Sequence, residues 1–243
     1  LDVALVNHGN NSAGVLVNTG KRQFLKPYIY PSAGAALPSE TSANPSSVAA
    51  GDFNHDGFLD LAVLNSGEER DGRTSAGLVL FFGDGTGQLG SPVRFDTGGA
   101  APRDLAVADF NHDGNLDAAV ANAGKPDGSG NFSGGAVSVL YGDGNGRLSP
   151  PVTLSSGGAV PEALLAVDLN HDGWTDLAVG NPYVGNVAIS TVGIVINDGV
   201  GGFLPVKSFS SAAVAPEAVA AADFDGDGNL DLLVAGRTYP GEY

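Results

Sequence analysis

Short apolar runs alternate along the chain with breaks rich in glycine, asparagine and aspartate, and the same order of runs comes round repeatedly. In each unit one run leads into an acidic nine-residue loop (residues 47–52, 104–109, 163–168 and 218–223), and a second leads out of it (59–65, 116–122, 175–181 and 230–236). A third run (77–82, 136–141, 192–196) ends in a glycine-rich turn (83–87, 142–146, 198–202), and a fourth, more polar run closes the unit (89–96, 147–154, 203–209). Runs this short, rich in Val, Leu and Ala and bounded by turn residues, predict strands; the first three are apolar enough for burial on both faces, and the last suits an outer edge that meets water.

The acidic loops begin at Asp52, Asp109, Asp168 and Asp223, so the period is 57, 59 and 55 residues. Four-stranded units at that spacing predict an all-β fold: a β-propeller of four-stranded antiparallel blades, with the acidic loop as the hairpin between strands A and B. Residues 1–243 form a single propeller region, with units near 1–46, 47–103, 104–162, 163–217 and 218–243. Residues 1–7 match 59–65, so the first unit opens at strand B, while 218–235 supply strands A and B of a further blade. About four blades are therefore expected as an open arc of a larger ring; seven blades would need on the order of 400 residues, and a longer parent chain is expected.

Composition sharpens this picture. Glycine, at 37 of 243 residues, is about twice its usual share of roughly 7%, without a Gly-X-Y period, as many tight turns require. A formal charge of −16 argues against nucleic-acid binding and gives no attraction to an anionic membrane, and no apolar run is long enough to insert into a bilayer. Of the 27 acidic residues, 14 lie in the four loops or at Asp2, and four divalent cations (+8) would take the charge from −16 to −8. Much of the acidity thus reads as ligand supply. With no cysteine, disulfides and thiolate metal sites are excluded.

A loop with oxygen side chains at positions 1, 3, 5 and 9 and glycine at 6 suits a hard cation, calcium first, with the carbonyl of position 7 as a further donor by analogy with the helix-loop-helix calcium loop. The expected ligand sets are Asp52, Asn54, Asp56, the Phe58 carbonyl and Asp60; Asp109, Asn111, Asp113, the Asn115 carbonyl and Asp117; Asp168, Asn170, Asp172, the Trp174 carbonyl and Asp176; and Asp223, Asp225, Asp227, the Asn229 carbonyl and Asp231. About four Ca2+ ions are expected. Asp, Asn and Gly also make good turns without metal, but four copies at one spacing weigh against turn chemistry alone. Loop four, with its extra carboxylate at Asp225, is expected to bind calcium most tightly.

Other candidates fall to blander readings. His55, His112 and His171 occupy position 4 and are expected to be exposed and non-ligating. The glycine-rich turns lack the Gly-Lys-Ser/Thr ending of a phosphate loop and read as hairpin turns. No Ser/His/acid grouping points to catalysis, so the chain is expected not to be an enzyme. Asn10 and Asn131 begin glycosylation acceptor triplets, whereas Pro45 disqualifies Asn44.

With its Asp-x-Asn/Asp-x-Asp-Gly-x-x-Asp loops, the Phe82-Gly83 turn and the lead-ins Ala101-Pro102, Val160-Pro161 and Ala215-Pro216, the chain resembles the FG-GAP and VCBS type repeats of integrin alpha-subunit propellers and of many secreted bacterial and fungal proteins. The resemblance implies a calcium-stabilised propeller for adhesion, ligand recognition or scaffolding, extracellular or at the cell surface. Long, irregular B–C connections (66–76, 123–135, 182–191) and the D–A connection (31–46) share the face opposite the loops, where a protein or glycan ligand is expected to bind. The remainder of the propeller, in the parent chain or an associated subunit, is the other expected partner. The alternatives are a lectin, resting on Tyr141, Trp174 and Tyr183, or the propeller of an enzyme such as a calcium-using polysaccharide lyase, which would need basic residues near a metal, whereas the 11 Lys and Arg are scattered, as at Arg70, Arg73, Arg103 and Lys125.

Overall fold

In the computed structural model, described over residues 2–20, 23–32, 43–67, 69–70, 73–126, 132–182, 190–212 and 214–238, the apolar runs form successive antiparallel sheets. The first sheet has three strands, β1 (Val3–Asn7), β2 (Ser12–Leu16) and β3 (Tyr28–Pro31). The second is four-stranded: β4 (Pro45–Gly51) and β5 (Asp60–Asn65), then, beyond a small hairpin of β6 (Glu69–Arg70) and β7 (Arg73–Thr74), β8 (Gly77–Phe81) and β9 (Val93–Phe95). The third repeats the plan with β10 (Pro102–Ala108), β11 (Asp117–Asn122), the hairpin β12 (Lys125–Pro126) and β13 (Phe132–Ser133), β14 (Ala136–Leu140) and β15 (Val152–Leu154). The fourth comprises β16 (Ala163–Val167), β17 (Asp176–Asn181), β18 (Thr191–Val195) and β19 (Lys207–Ser210), and a two-stranded sheet of β20 (Val214–Ala222) and β21 (Asp231–Thr238) ends the series.

The core lies between sheets rather than within one, which explains why the inner runs do not alternate in polarity. Ala62, Leu64, Leu78 and Leu80 pack one face of the second sheet against Leu105, Ala118, Val120 and Leu140 of the third, while Leu61, Val63, Val79 and Phe81 pack its other face against Ala13 of the first. Strands covered on both faces need apolar residues at every position, and β5, β8, β11 and β17 are buried or nearly so along their length. The leading strands β4, β10, β16 and β20 contact one another in succession, giving a propeller-like series of blades. By contrast β9, β15 and β19 are largely exposed, as their polarity predicts.

The closing strands are shorter than the runs suggest. Leu89, Leu148 and Phe203 are taken up in isolated bridges to Gly83, Gly142 and Asn197 that close the glycine-rich turns before the strand proper begins. The B–C connections, expected to be irregular, carry the small hairpins β6–β7 and β12–β13. Register breaks occur at Pro45/Ser47, Pro102/Asp104 and Pro216/Ala218, where proline has no N–H for the ladder. Among the described residues no helix is long and apolar enough to cross a membrane.

Candidate cation-binding loops

Register places each acidic loop as the turn between the first two strands of a blade: Gly51 pairs Asp60, Ala108 pairs Asp117, Val167 pairs Asp176 and Ala222 pairs Asp231. Backbone N–H groups inside the turn are satisfied by the loop's own oxygens. In loop one, Asp52 accepts from the Asp56 and Gly57 N–H at 3.2 and 2.9 Å, Asn54 Oδ1 accepts from Asp56 N–H at 3.1 Å, and Asp56 Oδ1 accepts from Phe58 N–H at 2.8 Å. Loops two and three repeat these bonds through Asp109, Asn111 and Asp113, and through Asp168, Asn170 and Asp172, with the position-7 N–H of Asn115 and Trp174 on the fifth residue. Each Asn amide also donates to the carboxylate at position 5, at 2.8–3.0 Å. Positions 1, 3 and 5 are thereby gathered at the surface.

In loop four Asp225 replaces that Asn. Carboxylate oxygens of Asp223, Asp225 and Asp227 lie within 4.8 Å of one another, and all three residues are exposed. Ligand oxygens on one Ca2+ sit at about 2.3–2.6 Å from it, so two of them stand up to about 5 Å apart, and this triplet falls inside that span.

Position 9 differs in burial. Asp60, Asp117 and Asp176 are at most 1% exposed, beneath the loop, and each uses both carboxylate oxygens on backbone N–H groups. One oxygen accepts from position 2 (Phe53, Phe110, Leu169, all 2.9 Å); the other accepts from the head of the glycine-rich turn (Gly83 at 3.0 Å, Gly142 and Asn197 at 2.8 Å). The aspartate therefore joins the A–B hairpin to the C–D turn of its own blade. Burial raises all three carboxyls, only partly offset by these N–H donors, and the charges at positions 5 and 1 add to the rise; Asp117 is pushed up to about 6. In the terminal hairpin Asp231 keeps the bond to Phe224 N–H at 3.0 Å but is exposed.

The loops also meet the next blade. Phe53 and Phe110 at position 2 are buried (3% and 0% exposed), Phe110 lying edge-on to Phe203 with centroids 5.8 Å apart, whereas Phe224 in the last loop is 62% exposed. The Phe53 carbonyl accepts from Gly146 N–H at 3.0 Å and the Phe110 carbonyl from Asn197 Nδ2 at 2.8 Å. Position-4 histidines are exposed, as expected, and hold left-handed backbone (φ 56°, 57° and 60°).

Several side chains carrying this architecture escape a search for ligands. Asp104 accepts from Ser47 Oγ at 2.9 Å on one side and from Leu164 N–H at 2.9 Å on the other, spanning three blades. Asn65, Asn122 and Asn181, fully buried at the ends of their strands, donate to carbonyls of Ser32, Thr97 and Ser156 in the preceding blade. Their recurrence at one place in each unit was a readable signal. Of the aromatics weighed for sugar binding, Tyr141 donates its hydroxyl to the Gly201 carbonyl at 2.9 Å and Trp174 is stacked on His112, so both are engaged between blades. Tyr183, Asn131 and most of the D–A connection at 33–42 lie outside the described residues. Asn10 is exposed, its Oδ1 accepting from Ser12 Oγ at 2.7 Å.

Comparison with known proteins agrees with this geometry. The FG-GAP repeat model matches residues 44–82 and 160–195, and the FG-GAP-like repeat model matches 180–234. Phosphatidylinositol-glycan-specific phospholipase D of Rattus norvegicus is 35% identical over 185 residues, covering 68% of this chain and 22% of that protein; the Mus musculus protein is 36% identical over 153 residues, covering 56% and 18%. The chain thus spans about a fifth of the length of these relatives. Among solved structures, Bacillus licheniformis rhamnogalacturonan lyase PL11 superposes with a TM-score of 0.52 over 93% of this chain and 48% of the lyase, and exotype rhamnogalacturonan lyase YesX with 0.51 over 92% and 46%. At 17% identity this is likeness of fold. Matched motifs, repeated loops and successive four-stranded blades together make this chain an FG-GAP repeat protein.

Proposed function

We propose that this chain is a calcium-binding, non-catalytic recognition module that works outside the cell, with Ca2+ held in the four A–B loops and a protein or glycan partner engaged on the opposite face. The observation that carries the reading is the convergence of the position 1, 3 and 5 oxygens in every loop, closest to a bare ligand cage at Asp223, Asp225 and Asp227. Carboxylates gathered in this way repel one another until a cation neutralises them. The buried ninth aspartates of loops one to three support a fold-stabilising role for the cation, because they tie those loops to their own blades. Loops of modest affinity stay filled where calcium is abundant, which favours an extracellular setting. Opposite the loops, the B–C connections with their small hairpins leave a face whose length and composition differ from blade to blade.

A second reading, the propeller portion of a larger enzyme, is favoured by one observation: the relatives by sequence bear the name of a phosphatidylinositol-glycan-specific phospholipase D, and the match takes up only 22% of the rat protein. In that case this portion supplies recognition while other parts carry the chemistry.

Calorimetric melting in Ca2+ and in excess chelator tests the cation, and the melting temperature is expected to rise with Ca2+. An identical melt in both would sink the reading. A glycan array and polysaccharide turnover, each run in Ca2+ and in chelator, separate glycan binding from protein recognition and from catalysis.

A further inference from the structure

In loops one and two, position 4 carries a side chain that turns away from its own loop to the next one. In loop one the left-handed backbone at His55 (φ 56°) carries the imidazole to the next blade, where Nε2 stands 2.8 Å from Asn115 Oδ1. In loop two, His112 (φ 57°) lies flat on the Trp174 indole, with ring centroids 3.8 Å apart and planes 7° from parallel. Asn115 and Trp174 occupy the same place, position 7 of the following loop. Both give their N–H to the position-5 carboxylate of that loop, at 2.8 Å (Asp113 and Asp172), and both carry the carbonyl expected to face the cation.

The junction is shaped for this contact. Gly144 holds left-handed backbone (φ 69°), and a Cβ built there would stand 2.4 Å from Asn115 Oδ1 and 2.8 Å from His55 Cδ2, so any larger residue would displace the pair. Loop four differs: its position 4 is Gly226, and its position 7, Asn229, turns its amide back onto its own Asp227 carboxylate at 3.0 Å.

We propose that His55 and His112 are positioning residues that couple the acidic loops in chain order, so that cation loading of loop one favours loading of loop two, loading of loop two favours loop three, and loop four loads independently. This inference rests on the calcium reading above. The physical route is short. A cation in loop two draws Asp109, Asn111 and Asp113 together around the turn that holds His112, and the fixed imidazole then holds Trp174 in the conformation that loop three needs for its own ligands.

Trp174 is the sole tryptophan of the chain and reports on the junction directly. The full chain, freed of metal, is titrated with Ca2+ while Trp174 fluorescence and binding heat are recorded in parallel. For the wild type the fluorescence change is expected to follow filling of both loop two and loop three. His112→Gly, which places at this position the residue loop four already carries, is expected to lower loop-three affinity about fivefold or more and to remove the contribution of loop two from the signal. His112→Phe, which keeps a ring over the indole, is expected to restore the coupling, and His171→Gly to leave the signal unchanged. His55→Gly supplies a second case, expected to weaken loop two by a similar factor. Ca2+ heats that fit four independent sites, identical in the wild type and both glycine variants, would overturn the coupling while leaving the calcium reading intact. No Ca2+ heat in the wild type would overturn both.

Discussion

Replacing Phe110 with alanine tests how the acidic loops hold neighbouring blades together. Phe110 is fully buried, in a cluster with Ala119, Val137, Leu164 and Val179 that draws on two blades, and it meets Phe203 of the next blade edge-on at 5.8 Å. Deleting a buried phenyl ring costs about 3–5 kcal/mol in transfer and cavity terms, of which the aromatic pair accounts for about 0.5–1.5 kcal/mol. Phe224 occupies the same motif position in loop four but is 62% exposed, so Phe224→Ala is expected to stay within about 0.5 kcal/mol of the wild type. Urea denaturation at saturating Ca2+, followed by far-UV circular dichroism, gives both midpoints; with the slope unchanged, the first variant is expected to shift far to lower urea and the second hardly at all. Equal shifts would refute the claim that the following blade, rather than the motif, decides what this residue contributes.

Asp104→Ala is expected to destabilise by about 1.5–3 kcal/mol, since it strands the buried Leu164 N–H and releases Ser47; an unchanged urea midpoint would show that the three-blade link contributes nothing. In metal-free protein the buried ninth aspartates set the pH dependence. Asp117, at about 6 when folded against an ordinary 3.8, takes up a proton more readily in the folded than in the unfolded chain, so its contribution to stability is full below 3.8 and is lost as pH rises through 6. The total is about 3 kcal/mol, of which about 1 kcal/mol is recovered between pH 7 and pH 5. Asp60 and Asp176, also raised by burial, act in the same direction. Metal-free protein is therefore expected to resist urea better at pH 5 than at pH 7, and the reverse order would contradict this account of their burial.

Much of the architecture was legible because it is written in contiguous residues. The paired strands around each loop and the final hairpin follow from runs that need no distant partner to be recognised. The position 1, 3 and 5 oxygens were legible for the same reason: they bind N–H groups at most five residues away. Position 9 was harder. Its spacing marks a candidate ligand, but its bonds to the Phe53 and Gly83 N–H groups, the second of them 23 residues along, were not legible, because only folding of the whole blade brings that turn underneath.

What the sequence by itself determined is the repeating unit: strand, acidic turn, strand, glycine-rich turn and a polar outer strand, each set by local backbone chemistry and by continuous apolar runs. The tertiary structure alone decided what each copy of a motif does. Phe53 and Phe110 are buried and Phe224 is not, and His55 reaches Asn115 while His112 covers Trp174. Copies of one motif diverge in this way because the contacts that separate them join residues about 60 positions apart, and those contacts form only where a following blade has packed against the loop.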